Sequence, residues 1–248
     1  MNQYSNFAFV YDELMHDVDY DNWVKYIEDI IKSENVEVQN ILELACGTGN
    51  LTIPLTKKNY DIAGIDISEE MLQVAREKAE KENVELVLLE QDIVELDFDV
   101  TNLDCILCGC DGFNYITYDE DLEGVFAKCH ELLKENGLFI FDISSYYKLS
   151  TVLGNNMYGE NRENVAYMWQ NYFDDYENLV EMDLAFFVKG EDGRFDKFEE
   201  NHLQRAYKNE EIIELLKNAG FDYIKTYGDF KLEAPKEDSE RVFFVCKK

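Results

Sequence analysis

The sequence predicts a doubly wound α/β fold, a mainly parallel, seven-stranded sheet with a small antiparallel β layer inserted into it. Three observations carry that prediction. Between residues 39 and 144, apolar runs of strand length alternate with segments of helical period, as parallel strands with crossover helices require. Between 146 and 207 the period becomes an alternation of apolar and polar residues, the mark of antiparallel strands with one solvated face. From 208 a helical period returns, and two further apolar runs close the chain. Residues 1–145 and 208–248 are therefore expected to form the sheet domain, and residues 146–207 the inserted layer.

The elements follow in order. QNILELA (39–45) is a buried strand, a helix begins over Leu51 to Lys58, and YDIAGID (60–66) is the second strand. SEEMLQVAREKAEKEN (68–83) is a helix because Met71, Leu72, Ala75 and Ala79 share one face, and Ser68 stands where an N-cap accepts from the first turn. VELVLLEQD (84–92) and LDCILCG (103–109) are the third and fourth strands, EDLEGVFAKCHELLKE (120–135) the next helix, and GLFIFDIS (137–144) the fifth strand. YYKLSTVLG (146–154) is expected as a short helix leading into the insertion, with VAYMWQNYFD (165–174) as a strand. In LVEMDLAFFVKG (179–190), Val180, Met182, Leu184, Phe186 and Val188 alternate, and GEDG (190–193) turns the chain into RFDKFEENHLQRAY (194–207), giving a hairpin. KNEEIIELLKNAGF (208–221) is a helix stopped by Gly220, and DYIKTYG (222–228) and RVFFVCK (241–247) are the last strands.

Composition narrows the function. The chain has 248 residues, 46% of them hydrophobic, enough for one large core. Its 23 Lys plus Arg oppose 53 Asp plus Glu, a formal charge of −30, so the average surface repels phosphodiester backbones and nucleic acid is an unfavoured partner. No run approaches the ~18–20 apolar residues of a membrane span, and the N-terminal stretch lacks the basic start and long apolar centre of a secretion signal. A cytoplasmic monomer or homodimer without membrane contact is expected. The six cysteines read as reduced thiols. In CILCGC (105–110) a strand would send Cys108 and Cys110 to one face and Cys105 to the other, and no second pair completes a tetrahedral metal site.

The chemistry concentrates at ELACGTGNLT (43–52). Gly47 and Gly49, between a strand and a helix, let backbone approach a ligand closely. Dinucleotide sites carry a third glycine where this chain has Thr52, and the lysine of a phosphate-binding loop is missing. A pyrophosphate near Glu43 would meet like charge in a partly desolvated crevice. The turn therefore suits a phosphate-free ligand, best one with positive charge. Two further carboxylates stand at successive strand ends. Asp66 lies 17 residues after Gly49, where an acceptor can hold ribose hydroxyls. Asp92 follows the third strand, where it can accept from an adenine amino group while Gln91 and Ile93 frame the ring. S-adenosylmethionine, with an adenosine, a sulfonium and an α-amino group but no phosphate, meets these requirements.

ILELACGTGNLT, AGIDISEEML, LEQDI, LDCILC and LLKENGLFIFD resemble, in order over about 105 residues, the successive motifs of class I S-adenosylmethionine-dependent methyltransferases with a Rossmann-like fold. The resemblance implies that Ala45 and Gly47, in one turn with Thr48 and Gly49, meet the methionine part through backbone. It implies that Asp66 binds ribose, that Met71 or Ile67 packs on adenine, that Asp92 and Ile93 address the adenine amino edge, and that Cys108 lies beneath the methionine part. FAFVYDELM with YDNW, and EENHLQRAY with a closing AGF, extend the resemblance to a bacterial group related to small-molecule N-methyltransferases acting on glycine or nucleotide-linked aminosugars. In such relatives an N-terminal segment folds over the cofactor. Tyr4, Tyr11 and Trp23 are then candidates for that cap, with Tyr11 near the sulfonium.

The activity so implied is methyl transfer to a small-molecule N or O nucleophile by in-line displacement, which needs positioning and exclusion of water. A protonated or hydroxyl acceptor also needs a base. Aminosugar enzymes of this group carry a histidine after the fourth strand, where GCDGFNYI offers Asn114 instead. Asn114 is then a candidate to orient a nucleophile, and Asp111 a candidate proton acceptor. In the insertion, expected as a substrate lid, strand alternation sends His202 and Arg205 to opposite faces, so one of them at most faces the crevice. His202 is read as a substrate contact or a structural histidine. A non-catalytic, cofactor-binding regulatory protein is the alternative. An RNA methyltransferase is disfavoured by the charge, and nicotinamide-dependent oxidoreduction by Thr52 and Glu43.

Overall fold

Short apolar strands followed by amphipathic helices must bury both sheet faces, and the chain does so with α1 (Phe7–Leu14), α2 (Tyr20–Glu34), β1 (Asn40–Leu44), α3 (Thr52–Lys57), β2 (Asp61–Asp66), α4 (Glu69–Glu82), β3 (Val87–Glu90), β4 (Leu103–Cys108), α5 (Asp119–Leu132) and β5 (Leu133–Ser144). The inserted layer holds β6 (Met157–Asn161), β7 (Val165–Asp174), β8 (Leu179–Lys189) and β9 (Phe195–Arg205), and α6 (Asn209–Asn218), β10 (Tyr223–Gly228) and β11 (Arg241–Lys247) return to the first sheet. This computed structural model describes residues 7–97, 100–190 and 192–248, and Tyr4 lies outside them.

Seven strands form one sheet in the order β10-β11-β5-β4-β1-β2-β3, and four form a second in the order β6-β7-β8-β9. β1 pairs in parallel with both β2 and β4, while β11 runs antiparallel to β5 and β10. From β1 the chain builds outward to β2 and β3, then returns to lay β4 on the other side, so the topological switch point lies between β1 and β4. Every residue of β4 is buried, including Asp104, whose carboxylate accepts from the backbone N–H groups of Gln39 and Asn40 and from Lys134. The core lies on both faces. One side stacks Phe113, Phe126, Phe139, Phe141 and Phe244, and the other packs the apolar stripe of α2 through Trp23, Tyr26, Ile27 and Ile30.

Local chemistry fixes the ends of the helices. Ser68 Oγ accepts from Met71 N–H at 3.2 Å, capping α4 as its position predicted, and Asp19 Oδ1 does the same for α2 from Asn22 N–H at 2.9 Å. The short helix expected over 146–154 is a π-helical turn over Lys148–Leu153. β6 has no counterpart in the sequence reading, because MYGEN is nearly all solvent-facing and carries no apolar alternation.

Candidate functional site

A cavity of about 980 Å³ opens at the carboxyl ends of the parallel strands, over the switch point. Turns after β1, β2, β3 and β4 form one wall, and residues of β7, β8 and β9 face it from the inserted layer.

The strand-end wall offers acceptors and apolar surface. Gly47 has φ +54°, and a Cβ added there would meet no atom within 4 Å, so the turn presents bare backbone to open space. Ala45, beside it, holds φ +52°, a left-handed conformation that costs an L-residue about 1 kcal/mol and is found where function over-determines the backbone. Asp66 is fixed by two backbone donors, Gly47 N–H at 2.7 Å to Oδ2 and Ser68 N–H at 2.9 Å to Oδ1. Burial raises its pKa above the usual carboxylate range even though those bonds oppose the shift. Asp92 Oδ1 accepts from Val94 N–H at 2.9 Å. Ile67, 57% exposed although apolar, lines the cavity together with Met71 and Ile93, between the two carboxylates. Among the described residues the cations of the cavity, Lys148 and Arg241, belong to other segments. An acceptor set of this kind accommodates an adenosine and a sulfonium, and would hold a pyrophosphate poorly.

Glu43 requires a correction. Its carboxyl is 2% exposed, accepts from Thr52 Oγ1 at 2.6 Å, and lies under the turn against a second cavity of about 40 Å³ rather than on the main one. Burial, with a smaller contribution from Asp66, pushes it up to about 8 against the Thr52 hydrogen bond. It is therefore mostly protonated at neutral pH, and the fixed negative charge expected there is absent. Of the three strand-end carboxylates singled out from sequence, Asp66 and Asp92 line the main cavity.

Other expected residues divide between the cavity and its supports. Tyr11, Trp23, Ala45, Gly47, Asp66, Ile67, Met71, Asp92, Ile93, Asp111 and His202 line it. Thr48, Gly49, Gln91, Cys108 and Asn114 do not. Thr48 Oγ1 donates to Asp12 Oδ1 at 2.7 Å, and Asp12 also accepts from Asn50 Nδ2 at 3.0 Å and Lys78 Nζ at 2.7 Å, which ties α1 to the turn and to α4. Gly49 packs on Ala75, Gln91 Nε2 donates to the Asp97 carbonyl at 3.1 Å, and the Cys108 thiol lies so close under Gly112 that a Cβ there would sit 2.9 Å from sulfur.

Beyond β4 the chain turns through two left-handed residues, Cys110 and Asp111, at φ +56° and +55°. Asp111 Oδ1 then accepts from Arg241 at 2.8 Å and Oδ2 from Gln204 Nε2 at 3.2 Å. Burial works against ionisation of Asp111, but the charges of Arg241 and Lys148, together with the hydrogen bonds from Arg241 and Gln204, outweigh it and hold the carboxyl below its ordinary range. Such a group does not take up a proton at neutral pH, contrary to the role expected of it. Arg241 also pairs with buried Asp142, and its guanidinium lies 5.0 Å from the Trp23 ring centre. Asn114 is fully buried. Its amide donates to the carbonyls of Ser144 at 3.2 Å and Arg205 at 2.8 Å, and its carbonyl accepts from Ser144 N–H at 2.9 Å. The side chain is a staple between β5 and β9, with no group left to orient a nucleophile.

Strand alternation sorts the insertion as expected. His202 lines the cavity with Nδ1 3.3 Å from the Tyr115 hydroxyl, while Arg205 turns out to Asp119 at 2.9 Å. Burial lowers His202 to about 4, so its imidazole is neutral at physiological pH. Lys148, Trp169, Tyr115, Gln204 and Arg241 also line the cavity and were not singled out from sequence. Gln204 and Tyr115 lie within stretches already quoted, EENHLQRAY and GCDGFNYI, but all five come from separate segments that only the strand order brings together.

Known proteins agree with this geometry. Residues 41–137 match the family profile of a methyltransferase domain. A candidate methyltransferase of Geobacillus sp. strain WCH70 is 37% identical over 246 residues, 99% of each chain. The crystal structure of an S-adenosylmethionine-dependent methyltransferase from Clostridium acetobutylicum ATCC 824 superposes with a TM-score of 0.88 at 39% identity, over 99% of both chains. Glycine/sarcosine N-methyltransferase of Aphanothece halophytica is 26% identical over 211 residues, 85% of this chain and 76% of that protein. With whole-length similarity at this level and a strand-end wall whose acceptors fit the methyl donor, the chain belongs to the S-adenosylmethionine-dependent methyltransferases, with S-adenosylmethionine as its cofactor.

Proposed function

We propose that the enzyme transfers the methyl group to a small-molecule acceptor bound between the strand ends and the inserted layer, by in-line displacement. The observation that carries this reading is the single cavity of about 980 Å³ shared by the cofactor wall and the insertion, a size suited to a cofactor and one small partner. The relative that acts on glycine and sarcosine, and the chain's charge of −30, favour a metabolite over nucleic acid.

S-adenosylmethionine, when bound, supplies a methyl carbon already activated by its sulfonium. In this reading Asp66 accepts from ribose hydroxyls, Asp92 from the adenine amino group, and Ile67, Met71 and Ile93 cover the ring faces. The bare backbone at Ala45 and Gly47 approaches the methionine part. Tyr11 and Trp23, from the two N-terminal helices, close the cavity against water. The inserted layer acts as a substrate lid and presents His202, whose neutral imidazole can hydrogen-bond to an amine or hydroxyl nucleophile and orient it. Asp111, paired with Arg241, keeps its negative charge and shapes the site without taking a proton.

The test is transfer of labelled methyl from the donor into a small-metabolite extract, with Asp66→Ala as control. Label is expected in small molecules with the wild type alone. Label in macromolecules only, or none above the control, would sink the reading.

A further inference from the structure

The cavity carries a positive charge for which cofactor binding, as read above, gives no use. Lys148 opens the π-helical turn that leads into the inserted layer, its backbone N–H held by Ser145 Oγ at 3.0 Å, and its side chain lines the cavity. Its ammonium has neither a hydrogen bond nor an ion pair among the described residues. Asp111, Glu240 and Asp142 attract it and Arg241 repels it, all at longer range, and both Asp111 oxygens are already engaged by Arg241 and Gln204. Burial lowers the Lys148 pKa, as expected of an ammonium withdrawn from water without a close counter-charge.

Trp169, on β7, lines the same cavity, and the π-helical turn and Trp169 pack in one cluster through Leu149 and Leu153. The indole N–H itself is buried away from the open space, so the ring is wall and the lysine is the group that a ligand can reach. Lys148 is half-buried, and a cation partly withdrawn from water without a close partner favours an anionic ligand.

We propose that the methyl acceptor carries an anionic group, a carboxylate or a phosphate, and that Lys148 receives it beside the Trp169 ring on the insertion side of the cavity. This rests on the reading of that region as the acceptor site. It assigns opposite ends of the cavity to opposite charges. The acidic strand ends face the cationic donor, and the lysine faces the anionic acceptor, which orients the two partners before reaction.

The test uses the whole protein saturated with S-adenosylhomocysteine, with acetate and inorganic phosphate as probes in calorimetric titrations. At least one probe is expected to bind the wild type at about millimolar concentration, about tenfold more weakly to Lys148→Met, and nearly normally to Lys148→Arg. The probe that binds tells carboxylate from phosphate. Lys148→Gln, which also removes the charge but keeps a polar side chain, is expected to weaken the same probe to a similar extent if Lys148→Met fails to fold. Equal probe affinity in all variants, or no binding of either probe to the wild type at about 100 mM, would overturn the proposal. So would a loss of S-adenosylhomocysteine affinity in Lys148→Met, which would assign the lysine to the cofactor's own carboxylate. Failure of the wild type to bind S-adenosylhomocysteine at all would remove the methyltransferase reading itself, a result distinct from the others.

Discussion

Glu43→Gln tests the burial of a titratable group under the cofactor turn. The carboxyl ordinarily ionises near 4.5 and is pushed up to about 8 in the folded chain. At about 1.36 kcal/mol per pH unit, that gap sets a ceiling of about 5 kcal/mol on the stability lost by ionising it. The folded state holds this proton more tightly than the unfolded one. Its stabilising contribution is therefore complete below about pH 4.5 and is lost as pH rises through about 8. Glutamine is neutral throughout, and its carbonyl can still accept from Thr52 Oγ1, so the variant keeps the packing and drops the titration. The difference in melting temperature between variant and wild type should widen with pH. For a chain of this size about 1 kcal/mol corresponds to ~2–4 °C, so a widening of about 10 °C is expected between about pH 5 and about pH 9. Taking the difference between two proteins cancels the general repulsion among the 53 acidic residues. Calorimetry across that range is the assay. Parallel melting curves at all pH values would show that Glu43 ionises normally and refute the reasoning.

Four further outcomes follow from the same geometry. Thr52→Val keeps the shape of a fully buried side chain but leaves the Glu43 oxygen without its donor, and should cost about 1–3 kcal/mol in urea unfolding. Asn114→Ala removes three hydrogen bonds between β5, β9 and the turn after β4, and should destabilise by about 2–4 kcal/mol, with no separate effect on the acceptor KM once the protein is folded. Asp12→Ala should change stability by no more than about 1 kcal/mol, because the Lys78 pair is partly exposed, yet speed S-adenosylhomocysteine release several-fold in stopped-flow experiments; an unchanged release rate would show that α1 does not latch the turn. The His202 ring proton signals should not titrate until about pH 4. Since the unfolded imidazole binds its proton near 6.5, the stabilising contribution of His202 is full above 6.5 and disappears as pH falls through about 4.

The parallel half of the fold was legible because its strands are apolar on both faces and its helices announce themselves by caps and period. QNILELA, YDIAGID and LDCILCG contain β1, β2 and β4, and Ser68 caps α4 from its predicted place. β6 was illegible because an edge strand that buries almost nothing leaves no pattern. In the site, side chains at strand ends were found wherever a local motif announced them, as at Asp66 and Asp92. Two kinds of error arose. Glu43 was assigned a charge because residue type shows no burial, and in a dry environment the proton stays on. Asn114 was given a chemical role because a polar residue after a strand faces solvent or ligand by default, whereas here two strand backbones surround it with partners.

Arg241 has a topological cause. β11 runs antiparallel to β5, so its first residue lies where its parallel neighbours end, and Arg241 stands opposite Ser144, the last residue of β5. An antiparallel strand added to a parallel sheet thus delivers its opening residue, not its closing one, to the ligand crevice. Polarity would be tolerated at that position only with counter-charges, because the guanidinium is largely desolvated. Asp142, one strand over, and Asp111, held by the left-handed turn after β4, supply them. Removing either acid would leave a buried, half-paired arginine, a change that typically costs about 3–5 kcal/mol, so the three residues form one structural unit at the cavity floor. That unit supplies the arginine with its own counter-charges, and this distinguishes it from Lys148. Two cations line the same cavity, but one is already neutralised by the fold and the other has no close counter-charge within it.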